Sequence, residues 1–185
     1  MNVIGVTNRK LCADFYKRIE EIAKKDLQYL ILREKDLLAK DLEIMALKVM
    51  DILKGSGMGL IINGNLGVAK KVEAAGVQLS FRDFIKGKSI NYDGVVGVSI
   101  HSFEEAIEVD NRGASYMIYG HIFETDCKKG VLPRGLKEFK AICESVTTPV
   151  YAIGGITKEN AQFVMDSGAY GVAYMSSLMK GKRLE

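Results

Sequence analysis

A chain of 185 residues, 48% hydrophobic and 26% charged, is long enough for one domain with a substantial core and too short for two comfortable ones, so a single domain spanning 1–185 is expected. No apolar run approaches the roughly 18 residues of a membrane span, and residues 1–9 lack a charged head followed by an apolar core, which predicts a cytoplasmic protein with no membrane partner. The net charge of +3 is spread over helix-like segments where bases alternate with acids, against a nucleic-acid partner, and the three cysteines, Cys12, Cys127 and Cys143, are too few and too scattered for a disulfide framework or a zinc site.

In chain order, short runs rich in Val and Ile alternate with longer stretches of helical period. Strands are predicted over 3–7, 28–33, 58–63, 76–79, 94–99, 115–119, 149–153 and 171–174. Helices are predicted over 12–25, 36–53, 66–75, 103–112, 136–144, 158–167 and 177–179, with a short turn at 82–86. Eight strand–helix units of this kind predict an α/β chain folded as a compact (β/α)8 TIM barrel with short connections. A doubly wound open sheet is the alternative, because periodicity does not separate an open parallel sheet from a closed one.

The placement of polar residues favours the barrel, whose reactive groups gather beyond the carboxyl ends of many strands. Arg33, Glu34 and Lys35 follow the second predicted strand, Asn63 ends the third, Asp83 lies beyond the fourth, and Ser99 and His101 end the fifth. After the sixth comes the most polar loop of the chain, 120–130, which packs His121, Glu124, Thr125, Asp126, Cys127, Lys128 and Lys129 together. Arg33 and Lys35 are two apart on extended backbone, so they share a face and could grip one anion, while Glu34 points to the other side as a salt-bridge partner. Gly154 and Gly155 follow the seventh strand, and Ser176 and Ser177 the eighth. Glycine lets backbone N–H groups approach an anion, and barrels often hold phosphate between their last two loops, so these four residues predict a phosphate site. The plainer alternative is a tight turn and a helix cap.

His121 sits beside the small Gly120, and an imidazole can both give and take a proton at neutral pH, which makes it the candidate general acid or base; the alternative is a histidine that holds a loop carbonyl. His101 precedes Ser102 and Glu105 in a capping arrangement and is expected to be structural. Cys127 has lysines beside it but no base, which argues against a covalent nucleophile.

The segments Leu32-Arg33-Glu34-Lys35, Ile61-Ile62-Asn63, Gly97-Val98-Ser99, the 120–130 loop and Ala152-Ile153-Gly154-Gly155-Ile156 resemble, in order, the motifs of the thiamine-phosphate-synthase superfamily. The resemblance runs from the first strand through Ser177, and it implies a (β/α)8 barrel with substrate phosphate near the paired glycines and the final serines. The synthases carry an Asp after the Asn of strand three where this chain has Gly64, a second Thr in the loop where it has Cys127, and a Gln where it has Ile31; Asp83 matches their remaining magnesium-binding Asp. Asn63-Gly64 and the 120–130 loop are similar to the thiazole tautomerase (TenI-type) branch. That branch implies a metal-independent isomerase that aromatises a thiazole phosphate tautomer to carboxythiazole phosphate, with His121 as general acid or base and no cofactor. Substrate binding would fall to Arg33, Lys35, Asn63, Ser99, Lys128, Gly154, Gly155, Ser176 and Ser177. The partner would be a small-molecule thiazole phosphate, and a homo-oligomer is left open. Two alternatives stand beside it: a thiamine phosphate synthase that joins hydroxymethylpyrimidine diphosphate to thiazole phosphate, and a non-catalytic regulator that binds thiazole phosphate.

Overall fold

Each apolar run alternates its side chains between two faces, and that period of two decides the architecture. In the computed structural model, which describes residues 1–87 and 90–181, the runs form eight parallel strands: β1 (Asn2–Val6), β2 (Tyr29–Leu32), β3 (Gly59–Asn63), β4 (Gly76–Ser80), β5 (Val95–Ile100), β6 (Tyr116–Gly120), β7 (Val150–Ile153) and β8 (Gly171–Tyr174). Consecutive strands pair all the way round, and β8 returns to β1 with Gly171 opposite Asn2 and Tyr174 opposite Gly5. The sheet is therefore a closed barrel, and the open-sheet alternative is excluded.

One set of alternate residues points into the barrel and the other toward the helices. Ile4, Val6, Ile31, Ile61, Tyr116, Ile118, Tyr151 and Ala173 fill the interior. Its floor is aromatic, with the rings of Tyr29 and Tyr116 stacked at 6.4 Å and Tyr151 meeting Tyr116 edge-on at 5.6 Å. The outward set, including Leu30, Leu32, Leu60, Ile62, Val77 and Val98, joins Ile19, Ile22, Val49, Phe139, Ile142 and Val164 from the helices in a second, larger core.

The helices are α1 (Phe15–Ile22), α2 (Ala39–Leu53), α3 (Leu66–Lys71), α4 (Phe81–Lys86), α5 (Phe103–Arg112), α6 (Gly135–Ser145), α7 (Lys158–Asp166) and α8 (Ser176–Met179). Several begin where a short polar side chain accepts the third N–H of the helix: Asp14 for α1, Asn65 for α3, Ser80 for α4 and Ser102 for α5. These caps correct the boundaries expected from periodicity. The helix expected over 12–25 starts only at Phe15, after its cap. The turn expected at 82–86 is a helix because Ser80 caps it. The helix expected over 66–75 stops at Lys71, and Glu73 beyond it adopts φ of 53°. Among the described residues no helix is long and apolar enough to cross a membrane.

Candidate active site

The inward positions that lie beyond the packed interior open into a cavity of about 1040 Å³ at the carboxyl ends of the strands. Keeping the period of two, Arg33 follows Ile31, Asn63 follows Ile61 and Ser99 follows Gly97, so each polar side chain inherits the inward direction of the apolar residue below it. All three line the cavity, as do Lys35, His121, Lys128, Gly154, Gly155, Ser176 and Ser177. Every residue singled out in the sequence for binding or catalysis is thus brought to one place.

The β2 end is held from outside. Glu34 is buried and accepts the Thr7 hydroxyl at 2.7 Å, the backbone N–H of Arg9 at 3.0 Å and the Arg9 guanidinium at 3.0 Å, while the Thr7 oxygen accepts the N–H of Arg33. This clip makes Glu34 the salt-bridge partner its alternation implied, and it leaves Arg33 and Lys35 facing the cavity. There Arg33, partial burial and the more distant Lys128 together lower the Lys35 pKa. Among the described residues no ion pair within 4.0 Å engages Arg33, Lys35 or Lys128, and all three line the cavity.

Across the mouth, Gly154 and Gly155 have φ of 103° and 65°, a backbone open to glycine at little cost. Their turn is fixed from behind by Asn160, whose side chain accepts the Thr157 N–H at 2.8 Å and donates to the Gly155 carbonyl at 3.0 Å. Ser176 and Ser177 open α8 beside it, and the Cys127 thiol lies 3.1 Å from the Ser176 hydroxyl, so the β6 loop touches the serine turn. Cys127 is exposed; the thiol of Cys143, by contrast, is pushed up to about 11 by burial.

The β6 loop leaves and returns through a pinned neck. The N–H groups of Ile122 and Phe123 donate to Ile153 and Gly154, and those of Arg134 and Gly135 donate back to His121 and Ile122. Within the loop the His121 ring, 7% exposed, places Nε2 3.2 Å from the Val131 carbonyl. A carbonyl only accepts, so the ring presents an N–H there and clasps the far side of the loop. Replacing His121 by Ala is expected to raise amide exchange across 124–132 by about tenfold, the worth of one hydrogen bond, which hydrogen-exchange mass spectrometry would read. His101 donates through Nδ1 to the Gly120 carbonyl at 2.9 Å, and its backbone N–H donates to the Glu105 carboxylate at 2.6 Å, in keeping with a structural place over the cap.

Asp83, the residue the resemblance matches to a magnesium-binding Asp, lines the cavity. It accepts the Ser80 hydroxyl at 2.6 Å and lies 3.6 Å from Lys86, with no side chain offered by Gly64; among the described residues no three His, Cys, Asp or Glu side chains form a cage. Magnesium is commonly held by one or two carboxylates together with substrate phosphate oxygens and water, and a single exposed Asp83 fits that arrangement.

Sequence reasoning passed over Gln78. It is buried in the middle of β4, at an inward position, and it lines the cavity floor. The available signal was a lone amide inside the run Gly76-Val77-Gln78-Leu79, where an apolar residue would pack at no polar cost.

Comparison with known proteins places this geometry. The family model described as thiamine monophosphate synthase (TMP-TENI) matches residues 3–178. The chain belongs to this family. It is 36% identical to the thiamine-phosphate synthase of Clostridium acetobutylicum, over 97% of this chain and 88% of that one, and 37% identical to that of Fusobacterium nucleatum, over 96% and 88%. A protein of Aquifex aeolicus named putative thiamine-phosphate synthase 2 is 36% identical over 95% of this chain and 96% of that one. The thiamine phosphate pyrophosphorylase of Pyrococcus furiosus superposes with a TM-score of 0.82 at 27% identity, covering 97% and 87%.

Within the thiamine monophosphate synthase family, these names overturn the tautomerase expectation. The relatives, 31–37% identical across nearly the whole chain, are named as synthases, which are transferases and not isomerases. The proton-shuttling task given to His121 goes with that reaction. Within the loop the observed contact of the His121 ring is its clasp on the Val131 carbonyl.

Proposed function

We propose that this protein is a thiamine-phosphate synthase, joining hydroxymethylpyrimidine diphosphate to thiazole phosphate with release of diphosphate. What supports the reading is a single cavity lined by Arg33, Lys35 and Lys128 as well as by Gly154, Gly155, Ser176 and Ser177, in a chain whose relatives are named for that reaction. An isomerase acting on one carboxythiazole phosphate has a single ring with a carboxylate and a monophosphate to hold. A synthase must hold a monophosphate and a diphosphate at once, and a cavity of about 1040 Å³ lies at the roomy limit of small-molecule sites.

The chemistry needs a bond from the thiazole ring nitrogen to the methylene carbon of the pyrimidine, while the bond from that carbon to the diphosphate oxygen breaks. Arg33, Lys35 and Lys128 are placed to receive the negative charge that gathers on the departing diphosphate, and they supply it from fixed positions with little reorganisation. Gly154, Gly155, Ser176 and Ser177 hold the thiazole monophosphate at the other end, which turns two diffusing substrates into neighbours. Asn63 and Ser99, between the two ends, orient the rings. Asp83 would hold magnesium together with the diphosphate, and the ion when bound adds further neutralisation of the leaving group.

The test is direct. Purified protein given both substrates and magnesium is expected to form thiamine phosphate and diphosphate in equal amounts, followed by chromatography. No thiamine phosphate from either order of addition, with both substrates still bound in calorimetry, would overturn the reading.

A further inference from the structure

Ser99 is one of the polar groups that line the cavity, and the direction of its proton is set by the residues it meets. Its oxygen lies 2.9 Å from Gln78 Nε2, and Gln78 Oε1 lies 2.6 Å from the Tyr116 hydroxyl. Gly97 makes room for this chain: a Cβ there would overlap both the Gln78 oxygen and the Tyr116 ring. Gln78 is 2% exposed and Tyr116 is 3% exposed, so neither can turn to water for a partner.

An amide can bind its neighbours in two senses, and Tyr116 decides between them. Among the described residues its hydroxyl meets only Gln78. If the amide nitrogen faced it, the phenol oxygen would accept and its proton would be left buried without an acceptor, a substantial penalty. With the carbonyl facing it, the phenol proton is used, the amide N–H is directed upward, and Ser99 receives it. The Ser99 oxygen then already holds one donated hydrogen, and its own proton is free for the cavity.

We infer that Gln78, locked by Tyr116, is a positioning residue that frees the Ser99 proton for the substrate, so that the site offers a hydrogen to a ligand presenting a lone pair there. The partner would be an unprotonated heteroaromatic nitrogen or another bare acceptor. This rests on the synthase reading for its activity assay and on geometry alone for its second readout.

The test uses Tyr116→Phe, Gln78→Met and Ser99→Ala singly and in pairs. Tyr116 does not line the cavity, so the loss of its hydroxyl reaches the substrate only through Gln78. Tyr116→Phe and Gln78→Met are each expected to lower kcat/KM by about three- to tenfold, the worth of one well-placed hydrogen bond, mainly through KM. In a Ser99→Ala background either change should add less than about twofold, because the group they act through is gone. Tyr151→Phe is the control: its hydroxyl bonds to Gln28 at 2.7 Å and not to Gln78, and its kinetics should match the parent. The inference is overturned if Tyr116→Phe behaves like Tyr151→Phe, or if Gln78→Met keeps its full effect without the Ser99 hydroxyl.

If the parent forms no thiamine phosphate, the synthase reading fails and the inference is decided by NMR of the Gln78 side-chain amide. Its two N–H resonances should be slow to exchange in the parent and should move on Ser99→Ala. In Tyr116→Phe, where nothing fixes the sense of the amide, exchange should quicken. Amide signals unmoved by either change would sink the inference independently.

Discussion

Alanine at Gly154 is expected to unfold the protein under milder conditions and to abolish most of its activity. The added Cβ would overlap the Cβ of His121 and lie 2.7 Å from its Cα, and it would sit on a backbone with φ of 103°. Backbone strain of about 1–3 kcal/mol and overpacking of about 1–3 kcal/mol together make about 2–6 kcal/mol, a large share of the 5–15 kcal/mol that holds a typical domain. The neighbour is main chain at the pinned neck of the β6 loop and cannot swing aside. Relief must come from moving the loop or the glycine turn, and either shifts a group facing the substrate. A displacement near 1 Å costs on the order of a hundredfold in rate. Urea denaturation and thiamine phosphate formation read the two effects, and an alanine variant with the parent's midpoint and rate would show that the turn has slack.

The second large effect is at Lys35. Replacing it by Met is expected to raise KM for the diphosphate substrate by about 10- to 100-fold, the range for one charge-assisted hydrogen bond. The same change should raise the melting temperature. Arg33, burial and Lys128 hold the Lys35 pKa below its usual 10.5, so its charge is less welcome in the folded chain than in the unfolded one. The penalty is complete below the folded pKa, fades as pH rises through it, and is gone above the unfolded value. The melting-temperature gain of Lys35→Met should therefore be present at neutral pH and shrink as pH approaches 10. Inorganic diphosphate should stabilise the parent more than the variant. Lys129, exposed and 4.0 Å from Asp126, is the control whose replacement should leave both measurements near the parent.

The fold was legible because two periods alternate cleanly along the chain, and the eight strands lie within a residue or so of their expected places. Barrel closure was legible only indirectly, through the way polar residues recur after successive strands. Helix starts were read less well, because a cap is a single hydrogen bond at one residue, as at Asp14 and Ser80, and leaves no trace in periodicity. Arg33, Asn63 and Ser99 were found because inward positions at strand ends can be counted from the apolar residues before them. Gln78 was missed because it lies below the rim, where an apolar residue is the default, and its meaning depends on a tyrosine two strands away. His121 was seen, but for a reaction that the names of the relatives overturn. A histidine beside glycine in a polar loop suggests proton transfer, while the carbonyl that engages it arrives ten residues later from a returning chain.

The clip at the end of β2 carries a consequence for insertions and deletions. Arg33 and Glu34 differ in role only by which side of the sheet they fall on, since one faces the cavity and the other faces Thr7 and Arg9. Removing a single residue upstream within β2 would advance the register by one and exchange their directions. The same amino acids would then deliver Glu34 to the place Arg33 now takes in the cavity and bring the Lys35 ammonium to the place beside the Arg9 guanidinium that Glu34 now takes. Composition and net charge would hardly change, yet a carboxylate would stand in the cavity where a cation stands now.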